Sequence, residues 1–346
     1  MRRETNGTNP RVWGSIAVLA MALVGCDEQE FEFSAQVDSP ISGLAVGDYA
    51  ESGEIYDYNT LAVFDEKNKP GDENKPRFAI VERHGSNASV VPIDQSQVSW
   101  ALEQKRGNDI EAICQLNETY YLAAESSFYK GDYGRLFLLE REPSQGGLSS
   151  GLRLVATYSQ SSSPDELDGI SFEGLACAPS NDSDDSYNIL LGDRNSGGLY
   201  WESIHPLQDI ADNGVIPLAL KKVGVITAPS SWSTSRDISD LYFSFSSHRL
   251  FGVASYDPED KALDSKQNAQ PHSMMYRTSH SFHLEDMAFM KSMASSGGNE
   301  SLLIEPVHSF PNHKVEGITA FGATDGMFYG SDDDTTINEY GLVSVE

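Results

Sequence analysis

The sequence predicts an all-β chain folded as a single β-propeller. Three observations predict it. No helical period persists along the chain; short apolar runs alternate with Gly, Asn, Asp and Ser; and one six-residue motif returns five times, about 60 to 80 residues apart.

The motif reads ISGLAV from Ile41, IEAICQ from Ile110, FEGLAC from Phe172, ISDLYF from Ile238 and VEGITA from Val315. Each copy is followed by a second apolar run, TLAVFD, YYLAAES, ILLGDR, LFGVAS or MFYGSD. These runs carry Asp65, Glu125, Asp193, Ser255 and Asp332 at or near their ends. Third runs are RFAIVE, RLFLLE, GLYWES and INEYGLV; fourth runs are QVSWALE, LRLVATYS, LKKVGVI and SLLIEPVHSF. Four strands per repeat around a ring describe a propeller blade. The fold expected is five four-stranded blades over residues 31–346, with a six-bladed ring as the alternative. The alternative arises because HLEDMAFMKSM, from His283, resembles the motif weakly. That stretch is read here as part of an insertion around 258–300 within blade four, helical in character. The last repeat ends after three strands, and FEFSAQVD (Phe31–Asp38) can supply the fourth, which would close the ring without a free edge.

Ahead of the propeller lies a different kind of segment. Arg2, Arg3 and Arg11 precede an apolar run from Ile16 to Val24, too short to span a bilayer comfortably and matching a signal h-region. The run ends in Leu23-Val24-Gly25-Cys26, which resembles the bacterial lipobox. Residues 1–25 then read as a lipoprotein signal peptide, Cys26 as the lipidated residue, and 26–30 as anchor and linker. Acyl chains on Cys26 would tie the protein to a bacterial membrane, facing the periplasm or the cell surface. An ordinary signal peptide with an incidental cysteine is the plainer reading.

The 346-residue chain has a formal net charge of -28, and removal of residues 1–25 takes away three arginines and one glutamate, leaving -30. With 39% hydrophobic residues it can still bury a sizeable core. Such a surface repels nucleic acid and favours cations or cationic partners. Cys114 and Cys177 lie inside apolar strand patterns and read as two buried free thiols, although the compartment permits a disulfide.

The second motif position reads Ser42, Glu111, Glu173, Ser239 and Glu316. If each motif forms the innermost strand of its blade, these residues share one ring around the central channel. Converging carboxylates repel and raise one another's pKa unless a cation neutralises them. An oxygen-only donor set of irregular shape suits Ca²⁺. The alternatives are that each glutamate clamps neighbouring backbone amides, or that one is catalytic. Asp65, Glu125, Asp193 and Asp332 fall at the channel mouth. Asp193-Arg194 reads as a salt bridge between neighbours.

The order S-G-L, E-A-I, E-G-L, S-D-L, E-G-I, with LAAES after the second copy and YGSDDD after the last, resembles the SdiA-regulated family of bacterial propeller proteins. It is similar, more loosely, to phytase-like esterase and calcium-dependent phosphoesterase propellers. The resemblance implies a channel metal near Glu111, Glu173 and Glu316 and a protein or small-molecule ligand at one mouth. Asp240 and Ala112 depart from it, standing where glycine is usual.

No nucleophile elbow, P-loop, dinucleotide fingerprint or H-E-x-x-H is present. His280, His283 and Glu285 lack zinc-motif spacing, and the eight histidines read as incidental. Two function classes remain. One is a lipid-anchored extracytoplasmic binding or scaffold module with a channel calcium; the alternative is a calcium-dependent hydrolase of phosphate or carboxyl esters.

Overall fold

A computed structural model of the chain describes residues 32–49, 58–67, 75–84, 86–93, 98–99, 107–126, 134–141, 151–160, 169–211, 215–258, 270–320, 326–333 and 338–345. The lipobox and Cys26 lie outside these residues.

The described residues form five sheets, one per motif copy, each built on antiparallel strands, with short parallel additions at the outer edges of the second and third. Strand β1 (Phe33–Val37) precedes blade one, which is β2 (Gly43–Tyr49), β3 (Tyr58–Val63), β4 (Phe78–His84) and β5 (Asn87–Pro92). After the short β6 (Val98–Ser99), blade two is β7 (Ile110–Gln115), β8 (Tyr120–Glu125), β9 (Leu136–Arg141) and β10 (Leu152–Gln160). Blade three is β11 (Phe172–Pro179), β12 (Tyr187–Asp193), β13 (Gly198–Ile204) and β15 (Lys221–Ile226), with helix α1 (Pro206–Ala211) and β14 (Val215–Leu218) before its last strand. Blade four is β16 (Arg236–Ser244), β17 (Arg249–Tyr256), β18 (His272–Thr278) and β20 (Ile304–Pro311), with α2 (Met287–Ser295) and β19 (Ser301–Leu302) between its last two strands. Blade five is β21 (Val315–Ala320), β22 (Gly326–Ser331) and β23 (Asn338–Ser344), and its fourth strand is β1.

β1 lies antiparallel on β23, from Phe33↔Leu342 to Val37↔Asn338. The expected closure is therefore observed, and no blade is left with an open outer edge at the seam. Phe33 packs edge-on against Tyr340, and the Arg83 guanidinium of blade one sits 3.8 Å from the Phe33 ring centre. The seam thus gains a contact across to the first blade.

Blades are sandwiched on both faces, which explains why the inner and middle strands read as unbroken apolar runs instead of alternating ones. β12 and β22 are buried at every residue. Five hydrophobic clusters lie between successive blades. Leu61 and Ile113 join blades one and two, Leu122 and Leu175 two and three, Leu190 and Leu250 three and four, Val253 and Ile318 four and five, and Ile41 and Phe328 five and one. The glycine after the second motif position lets inner strands touch. A Cβ at Gly43 would fall 2.8 Å from the Glu111 carbonyl oxygen and 2.9 Å from Ala112 Cα.

Three expectations need correction. The fourth strand of blade one is β5, not QVSWALE. β4 and β5 stay paired up to His84↔Asn87, and β5 is too exposed to show an apolar period. Val98 and Ser99 instead pair in parallel with β10 of the next blade. The 258–300 interval is not one block, because it contains β18; its helix α2 packs on β15 of blade three. Cys114 and Cys177 are not free thiols. They form a disulfide between the inner strands β7 and β11, whose Cα atoms stand 5.9 Å apart there. Among the described residues, no helix is long and apolar enough to cross a membrane.

Because the Gly43 contact is with backbone, Gly43→Ala should destabilise the protein by about 1–3 kcal/mol, read as a lower urea midpoint at unchanged m-value. Deleting residues 32–37 should cost more, since it uncovers the β23 edge, and should also promote association in analytical ultracentrifugation.

Candidate functional site

The motif glutamates are brought to the axis by β-bulges. In β7 the pairing passes from Ile110↔Glu125 to Ala112↔Ala124, so Glu111 is the extra residue. The same shift brackets Glu173 in β11 and Glu316 in β21, and a wider one brackets Ser239 in β16. A bulge re-aims one side chain without breaking the strand. Ser42, Glu111, Glu173, Ser239 and Glu316 are all buried. Glu173 and Glu316 both act electrostatically on Glu111, so the three carboxylates share one hub.

The hub is electrostatically lopsided. On the side of blades three to five, carboxylates meet cations. Arg236 Nη1 donates to Glu173 Oε2 at 3.1 Å and to Glu316 Oε1 at 2.7 Å, and its Nη2 donates to Asp257 Oδ2 at 2.7 Å. Lys314 Nζ reaches Glu316 at 3.3 Å, Asp332 at 3.2 Å and Asp257 at 3.5 Å. Arg194 Nη1 holds Glu173 Oε1 at 2.5 Å. Burial opposes the charge on Lys314, but Glu316, Asp332 and Asp257 outweigh it and keep its pKa above the ordinary lysine value. Asp240 adds a tie of another kind. Its carboxylate accepts from Leu241 N and from Ile318 N, both at 2.8 Å, joining blades four and five.

On the side of blades one and two the balance reverses. No ion pair reaches Glu111 among the described residues. Its pKa stands well above the usual carboxylate range, pushed there by burial and then by Glu173, Glu316, Asp109 and Asp65. Oxygens of Asp65, Asp109 and Glu111 lie within 4.8 Å of one another. Asp109 takes a left-handed backbone at φ 61°, an uncommon and costly conformation for aspartate outside a turn. Lys67 at the rim approaches Asp109 at 3.2 Å and Asp65 at 3.7 Å. Ser42 Oγ is buried with no hydrogen-bonding partner among the described residues.

The remaining mouth residues are structural anchors. Glu125 accepts from Arg135 Nε at 2.8 Å and from Asn108 N at 2.9 Å. Asp193 accepts from Ser171 N and from Ser196 N, both at 3.1 Å; Arg194 pairs with Glu173 rather than with this neighbour. Ser239 Oγ lies 2.5 Å from Ser255 Oγ. Sequence reasoning missed Arg236, Lys314 and Asp109. Their signal was position, for Lys314 and Asp109 immediately precede a motif copy and Arg236 precedes one by two residues.

Beyond the carboxylates the lining is mixed, with Gln115 and Thr319 set among apolar side chains. A cavity of about 150 Å³ is lined by Leu44, Ile113, Leu175, Leu241 and Phe243, with the Cys114–Cys177 disulfide in its wall.

No protein-family model and no curated protein matches the chain. The SdiA-regulated resemblance therefore rests on motif order. Among solved structures, an arabinanase from Bacillus subtilis is 14% identical, with 89% of this chain and 95% of that one covered at a TM-score of 0.47. A GH43 endo-arabinanase from Bacillus licheniformis is 12% identical over 90% and 96%, at 0.49. An exo-beta-1,3-galactanase from Phanerochaete chrysosporium is 10% identical at 0.44; 89% of this chain aligns, spanning 61% of that one. These are likenesses between propellers, and no activity is carried over from them.

Arg236→Ala would leave Glu173, Glu316 and Asp257 facing one another without their shared cation. It should cost about 3–5 kcal/mol by urea denaturation, whereas Arg153→Ala, at an exposed pair with Glu140, should cost less than about 1 kcal/mol. Glu111 carries a raised folded-state pKa. Its contribution to stability is therefore complete below the ordinary glutamate pKa and is lost as pH rises through the folded value. In chelator, Glu111→Gln should match the parent protein near pH 4 and exceed it in melting temperature near pH 8.

Proposed function

We propose that this chain is an extracytoplasmic, lipid-anchored binding propeller whose hub holds a calcium ion off-axis, on the side of blades one and two. The observation that carries the reading is the unbalanced cluster there. Among the described residues no ion pair reaches the buried Glu111, oxygens of Asp65 and Asp109 lie beside it with only the rim Lys67 to face them, and Ser42 Oγ has no hydrogen-bonding partner. All four donors are oxygens, and the irregular set fits a hard ion tolerant of geometry. Glu173 and Glu316 are not direct ligands in this reading, because Arg236, Lys314 and Arg194 already answer their charge. They hold the frame against which the ion sits. The disulfide agrees with an oxidising compartment, and thus with export past the inner membrane.

The ligand of such a module would dock over the same mouth, where a bound cation and the cationic side chains offer opposite edges to a small anionic or polyhydroxyl group. A second reading has one observation in its favour. Glu111 is held toward its protonated form beside carboxylates paired with cations, and carboxyl groups pushed apart in this way make acid and base partners. With calcium positioning a water, that arrangement would serve ester hydrolysis.

Titrating calcium into chelator-stripped protein should raise the melting temperature by several degrees and give one site by calorimetry; Glu111→Gln and Asp109→Asn should abolish both effects. Absence of calcium binding in the parent protein would end the proposal. A panel of phosphate and carboxyl esters with calcium present separates the two readings: turnover lost in Glu111→Gln selects hydrolysis, and silence with calcium bound selects binding.

A further inference from the structure

A second cluster lies in blade four, at the turn end of the β16–β17 hairpin, whereas the hub residues Arg236 and Asp257 flank the other end of that hairpin. His248 sits in the hairpin between β16 and β17, while His283 and Glu285 lie on the segment between β18 and α2. Alternation places His283 and Glu285 on one side of that segment and the buried Phe282 and Leu284 on the other. The segment is pinned from several directions. Phe282 N donates to the His248 carbonyl at 2.8 Å, Asn188 Nδ2 to the Leu284 carbonyl at 2.8 Å, and Asn181 N to the Glu285 carbonyl at 2.9 Å. Asp286 then caps α2 through Ala288 N and Phe289 N.

The three side chains converge on a single atom. His248 Nδ1 lies 2.8 Å and His283 Nδ1 3.1 Å from Glu285 Oε1, with ring centres 5.0 Å apart. Ligand atoms of a tetrahedral zinc site with N and O donors stand about 3.3 Å apart, close to these separations. Hydrogen bonding accounts for only part of the arrangement. Among the described residues, His248 Nδ1 is shielded from solvent and makes no hydrogen bond despite its proximity to the carboxylate, and Glu285 Oε2 is shielded and also without a partner. His248 further holds a left-handed backbone at φ 50°, a conformation glycine or asparagine would adopt at less cost. Both imidazoles remain about 40% exposed, so a fourth position faces solvent.

We propose that His248, His283 and Glu285 form a binding site for zinc or a comparable borderline divalent cation, distinct from the hub and selective by donor type. Two imidazoles and one carboxylate suit such an ion, whereas the all-oxygen hub suits a hard one. Phe289, whose ring meets His283 edge-on with centres 5.6 Å apart, forms an apolar wall to one side.

Zinc alone is the probe, titrated into chelator-stripped protein against a chromophoric competitor. The expected result is one zinc per chain, weakened about 100-fold in His248→Asn and in His283→Gln and unchanged in Glu111→Gln. His248→Asn is chosen because asparagine accepts the left-handed backbone, and circular dichroism checks that both variants fold. Cobalt in place of zinc should give the visible absorption of a tetrahedral centre, lost in the same variants. Equal zinc affinity in the parent protein and both histidine variants would overturn the proposal, as would no binding up to about 1 mM zinc.

Discussion

The guanidinium of Arg236 is the interaction on which the hub depends. It rises from the start of blade four and touches acids of blades three, four and five at once. A buried cation shared by three acids is costly to desolvate, and it is tolerable only when every partner is in place. That requirement couples the blades electrostatically at the axis. The apolar cores hold neighbours in pairs. Arg236 links Glu173 of blade three to Glu316 of blade five, which are not neighbours in the ring, and Asp240 adds a tie between blades four and five.

The same arrangement makes the site asymmetric. A ring with one acid per blade would have treated every blade alike. Here the cations arrive with the inner strands of blades four and five, so the acids facing blades one and two are left unbalanced. A fold with near five-fold repetition thereby acquires a single direction, and the ion proposed at Asp65, Asp109 and Glu111 occupies a sector whose three carboxylates face only the rim Lys67 among the described residues.

Much of this was legible in the sequence. The recurrence of VEGITA-like copies located all five inner strands, and the short last repeat pointed to Phe33–Val37 as the closing strand. The mutual approach of Glu111, Glu173 and Glu316 follows from that recurrence alone. What was not legible was of two kinds. Edge elements such as β5 face solvent and carry no apolar period, so blade one's last strand went to a more hydrophobic stretch. Partnerships between distant residues leave no local trace: Arg236 belongs to no motif, and His248 is 35 positions from His283. Asp240 shows the intermediate case. It looked like a misfit for glycine, and the structure gives it a purpose as a peptide-binding tie between blades.

The disulfide between Cys114 and Cys177 joins two neighbouring innermost strands, 63 residues apart in the chain. It cross-links blades two and three side by side, a bond that no other pair of blades can form because the only further cysteine in the sequence is Cys26. Any breathing of the disc is thereby steered away from that sector and toward the remaining seams. The cross-link also lies in the wall of the cavity, where it fixes the two blades that form that part of the lining.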